Sequence, residues 1–97
     1  MNRNKVASNL LKMTWMRDHQ AFASTDLEIG QIDWKTIDNQ EWNRTEKVLV
    51  EFLRFINCGE SLIRLSEINL LSQDEKRVVA LSLNMLYNDL GLEENLV

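Results

Sequence analysis

The chain has no proline, three glycines, one cysteine and one histidine. Proline breaks helix interiors and glycine weakens them, so their scarcity favours helix along most of the length. A single cysteine, Cys58, excludes an internal disulfide and suits a reducing compartment. One histidine beside one cysteine leaves no His/Cys cluster to hold zinc. Long apolar runs are missing too. The longest is four residues, Val78 to Leu81, where a membrane span needs about 20. Ser8, Asn9 and Lys12 cut across the first sixteen residues, which therefore lack the apolar stretch of a signal peptide. The expectation is a cytoplasmic protein with no cofactor, no metal and no membrane partner.

The residues that remain are those of a small globular domain. Of 97 residues, 44% are hydrophobic and 27% charged, enough for one core and too few for two. Trp15, Trp34, Trp42, Phe22, Phe52 and Phe55 supply bulk that a short chain needs to close a core. Net charge is −4 and uneven: residues 1–25 set four bases against Asp18 (+3), residues 26–97 seven bases against fourteen acids (−7). An acidic body disfavours nucleic-acid binding, which depends on neutralising phosphates.

Apolar spacing of about 3.6 residues organises three main helices around an irregular connector. The first is expected from Arg3 to Ala23, with Val6, Ala7, Leu10, Leu11, Met13, Thr14, Trp15, Ala21 and Phe22 on one face and Lys5, Ser8, Lys12 and His19 opposite. Its bases admit a membrane or RNA surface, but the demand for core material favours packing. Residues 24–38 form the connector, interrupted by Gly30 and packed down by Ile29, Ile32 and Trp34, with a short strand pair left open. The second helix is placed over Asn39–Asn57, capped by Asp38 and closed by Gly59. Its apolar residues cover well over half the circumference, which makes it the central helix. Leu62, Ile63 and Leu65 are expected to bury themselves in a junction, with Ser66 capping one turn. The last helix opens on a Ser72/Glu75 capping box and ends near Leu90 and Gly91. The whole reads as one all-α domain over 1–97, with a frayed end at 93–97.

Catalytic constellations do not emerge. His19 lacks partners and reads as a surface histidine, and Cys58, at a helix C-terminus, lacks a group to lower its pKa and reads as a buried filler. Carboxylate pairs such as Glu67/Asp74 and Asp33/Asp38 have the spacing of solvated surface. Glu46 projects on the apolar side of the second helix but belongs to its first turns, where its charge suits the helix dipole. A helix-turn-helix reader needs a basic recognition helix, and the last helix offers only Lys76 and Arg77.

One feature points outward. The last helix carries a broad apolar stripe, Val79, Leu83, Leu86, Tyr87 and Leu90, and a second stripe of Val78, Leu81 and Met85, with Glu75, Ser82 and Asp89 between them on one side. One partner cannot easily cover both. Either the connector folds over Val78, Leu81 and Met85, or these residues meet a second copy or a target protein. The expected function is a non-enzymatic binding or regulatory protein, a homodimer with a further protein partner. The alternative is an acidic inhibitor of a nucleic-acid-handling enzyme.

Residues 46–89 add a cadence: a helix ending in Asn57-Cys58-Gly59, then Leu65-Ser66-Glu67-Ile68 and a capped last helix. This segment resembles a family of short, uncharacterised bacterial proteins found on plasmids and other mobile elements. It departs from the family in spreading Phe52 and Phe55 apart where an aromatic run usually precedes the glycine. The resemblance implies an accessory, non-enzymatic protein of bacterial or phage origin.

Overall fold

The computed structural model describes residues 3–26 and 31–89, the last two by backbone alone. Four α-helices occur there: α1 (Arg3–Lys12), α2 (Trp34–Asp38), α3 (Arg44–Cys58) and α4 (Gln73–Asp89). Single 3-10 turns lie at Trp15–Asp18 and Gln20–Phe22, and a longer 3-10 stretch spans Leu65–Leu70. The fold is all-α, with α1, α3 and α4 as the three main helices.

The first helix is shorter than its periodicity predicts. Thr14 turns its hydroxyl back onto the carbonyls of Leu10 (3.1 Å) and Leu11 (3.3 Å), satisfying acceptors that a longer helix would use, and its backbone is extended. His19 then makes a second break, its Nδ1 accepting the Ala21 N–H at 3.0 Å to cap the next turn. The change of path carries Met16 into the core and leaves Met13, expected on the apolar face, exposed. Ser8 is buried rather than opposite the core.

Asp38 does not cap the central helix. It is the last residue of α2, and its carboxylate pairs with Arg54. The cap is Asn43: its side chain accepts the Glu46 N–H (2.8 Å) while Glu46 Oε1 accepts the Asn43 N–H (3.0 Å). Glu46 is therefore the reciprocal member of a capping box. Trp42, placed in the helix by its spacing, precedes it and donates its indole N–H to the Ile37 carbonyl (3.0 Å).

Gly59 ends α3 as expected, at φ +81°. Arg3 completes this end by donating to the carbonyls of Phe55 (2.9 Å) and Ile56 (3.2 Å). The start of α1 thus meets the end of α3. Trp15, just past the end of α1, donates to Glu75 at the start of α4 (3.0 Å). Both long helices run opposite to α1 and in the same sense as each other, so residues 59–72 form the crossover between them. α1 packs on both, and Val6, Leu10, Leu49, Leu53, Ile56 and Val79 are fully buried along this contact.

In the connector, Asp26 and Gln31 form one antiparallel bridge, and α2 is capped by Asp33. Leu27, Glu28, Ile29 and Gly30 lie outside the described residues, as do Leu90, Gly91 and the tail expected to fray.

Candidate interaction surface

On α4 the buried line runs Val79, Ser82, Leu86, with Ser82 only 3% exposed. The Ser82 hydroxyl donates to the Val78 carbonyl of its own helix (2.9 Å), which satisfies it without an outside partner. A small, internally bonded residue thus occupies the centre of the packed face. Ser82 therefore does not separate two apolar stripes. Val79 and Leu86 of the broad stripe lie on the buried line itself, with Leu83 and Tyr87 flanking it on one side and Val78 and Met85 on the other.

On one shoulder, Val78 and Met85 are half-buried and pack against the core, while Leu81 is 46% exposed. The connector's indole is engaged by α3. Trp34 donates to Asn57 Oδ1 (3.0 Å) and lies under the Arg54 guanidinium, 4.3 Å from the ring centroid, so it belongs to α3. Of the other expected covers, Ile32 is half-buried against the core, and Ile29 is outside the described residues.

The opposite shoulder borders a groove of about 290 Å³, lined by Phe52 and Phe55 of α3, Leu83 and Tyr87 of α4, and Ile63 and Leu65 of the crossover. Here the structure departs from expectation. Leu62 and Leu65 do not bury themselves; they are 98% and 68% exposed. The cause is local. The Ser61 hydroxyl donates to Glu51 on α3 (2.9 Å) and accepts the Ile63 N–H (3.1 Å), which turns residues 61 and 63 inward and Leu62 outward. The helical turn that follows starts after Arg64 with no side-chain cap, so Ser66 does not open it.

Several titratable groups hold the structure together. Partial burial pushes the Glu75 carboxyl up, but its contacts with the Ser72 backbone, the Ser72 hydroxyl and the Trp15 indole outweigh this and hold it below the ordinary carboxylate value. Asp33 is held low by the Thr36 hydroxyl first, then by the Ser24 hydroxyl and the Thr36 N–H. His19 is not a plain surface residue. It is half-buried in an aromatic cluster, 4.7 Å from the Trp42 ring, 5.9 Å from Trp15 and 6.4 Å from Phe22. Cys58 is exposed rather than a core filler, with its thiol on Asn57 Oδ1 (3.3 Å). Of the carboxylates paired above, Asp33 caps α2, Asp38 binds Arg54, and Asp74 lies 3.9 Å from Arg77. Among the described residues no group of three His, Cys, Asp or Glu side chains is placed to hold a metal ion, and no helix is long and apolar enough to cross a membrane.

No protein-family model matches the chain, and neither a curated protein nor a solved structure matches it.

Proposed function

We propose that the protein is a non-enzymatic interaction module that self-associates and engages a protein partner through apolar side chains its own fold leaves open. One observation carries this: Leu62, Leu65, Leu81 and Tyr87 are each 40% exposed or more, although the same chain fully buries a dozen large side chains. Leaving such surface in water is unfavourable by about 25 cal/mol per Å², so a partner gains by covering it. The row Val78, Leu81 and Met85 on α4 suits a second helix, whether from a target protein or a second copy. The resemblance over residues 46–89 supplies the context, a bacterial or phage accessory protein acting in the cytoplasm.

The rival reading, an acidic mimic of nucleic acid, gains nothing from Glu51 on α3 or Asp38 at the end of α2, which are taken up by Lys47 and Arg54.

Light scattering behind size exclusion tests self-association, and Leu81→Glu tests the α4 row. The expected result is a dimer at high micromolar loading. A monomer at every concentration, together with no protein captured by the immobilised chain, refutes the module.

A further inference from the structure

The apolar groove between α3, α4 and the crossover opens at the end of the molecule where α4 leaves off. Tyr87, which lines it, stands two residues before Asp89, the last residue of that helix. The Ser61 hydroxyl at its edge is already engaged by Glu51 and the Ile63 N–H. What the groove offers is apolar contact, in a volume of about 290 Å³ that suits a few aliphatic side chains.

Past Asp89 the sequence continues Leu90-Gly91-Leu92-Glu93-Glu94-Asn95-Leu96-Val97, outside the described residues. Placement, length and charge match this segment to the groove. Glycine closes helices in the left-handed region, and the apolar contact of such an ending joins the residue after the glycine to the one four before it. With Gly91 closing α4, these are Leu92 and Tyr87, so the chain beyond the helix is delivered to the groove's edge. From Leu83 to Asp89 a helix rises about 9 Å, whereas six residues, 92–97, reach about 20 Å when extended. The segment is long enough to run along the whole lining. Arg64, between the lining residues Ile63 and Leu65, is exposed and enters none of the ion pairs among the described residues. Glu93 and Glu94 supply the opposite charge. Tethering favours the segment's own chain over a second copy, because a short linker holds it beside the groove at an effective concentration of roughly millimolar.

We propose that residues 92–97 occupy this groove in their own chain, with Leu92 and Leu96 on its apolar lining and the two glutamates toward Arg64. The inference goes beyond the proposed function and does not draw on it. Leu62 and Leu81 lie outside the groove and stay open to a partner. A target that needs Leu65 or Tyr87 has first to displace the segment, which makes residues 92–97 a built-in competitor for that part of the surface.

Nuclear magnetic resonance on the full chain tests this, with isotope-labelled and unlabelled copies mixed so that contacts within and between chains are read apart. Contacts within one chain are expected from the Leu92 and Leu96 methyls to the Phe52, Phe55 and Tyr87 rings. Leu92→Asp and Leu96→Asp should each shift the Leu83 and Ile63 methyl signals. The signals of buried Leu10 should stay in place, which also reports an intact fold. Absence of these contacts overturns the inference. Contacts found only between copies overturn it too, since the occupant is then a second chain, and so do groove signals that ignore both substitutions. Sedimentation velocity on the same samples reads self-association separately, so either result stands without the other.

Discussion

Glu75 shows how one side chain can do two structural jobs. It accepts the Ser72 N–H to close the start of α4 and receives the Trp15 indole N–H, linking that start to the end of α1. Glu75→Ala removes both and should cost about 1–2 kcal/mol in chemical denaturation, at the upper end for a lost cap. Its carboxyl is held below the ordinary value in the folded chain, so the unfolded chain takes up the proton first as pH falls. The contribution is complete above the unfolded value of 4.5 and is lost as pH drops through the folded one. Urea midpoints should fall through this acid range in the wild type, and less steeply in Glu75→Gln. Equal slopes would show that Glu75 contributes no such linkage. At Gly59, an added Cβ would sit 3.4 Å from the Arg3 guanidinium carbon at φ +81°. Gly59→Ala is expected to destabilise by about 1–2 kcal/mol through backbone strain.

The elements differ in how plainly the sequence announces them. Periodicity located α1, α3 and α4, and the Ser72/Glu75 box set the start of α4 as expected. Boundaries that depend on competing polar side chains were less legible. Asp38 and Asn43 are both good caps, and Asn43 prevails because Glu46 stands three residues after it while Asp38 is engaged by Arg54. The pattern was present in the residues; choosing between two caps required the ion pair across sixteen positions. Thr14 breaks α1 through its own hydroxyl, which apolar spacing cannot register. By residue type Ser82 is a polar divider, yet its hydroxyl bonds within the helix and so leaves it free to be buried. Two substitutions test that account by thermal denaturation. Ser82→Ala should be within about 1 kcal/mol of wild type, since no outside partner is orphaned, whereas Ser82→Leu should cost about 1–3 kcal/mol by overpacking. A large loss in Ser82→Ala would mean the hydroxyl serves more than its own helix.

At the scale of the molecule, the chain closes its core yet leaves large apolar side chains outside it. The crossover is where this is most pronounced, because Ser61 and Ile63 take the inward positions and force Leu62 to face water. The α4 shoulder is milder, with Leu81 alone among its three expected contact residues largely open. Sequence periodicity pointed to α4 since helices reveal their faces at regular spacing, while the bend at Leu62 follows a hydroxyl contact that apolar spacing does not register. Under the proposed function, this open apolar surface is the means of recognition. Amide chemical shifts followed through a dilution series measure this most directly. The account predicts that amides of residues 60–65 move together with concentration while those of buried Leu49 and Leu53 stay fixed. Shifts that remain constant over the whole chain from millimolar to micromolar protein would contradict it.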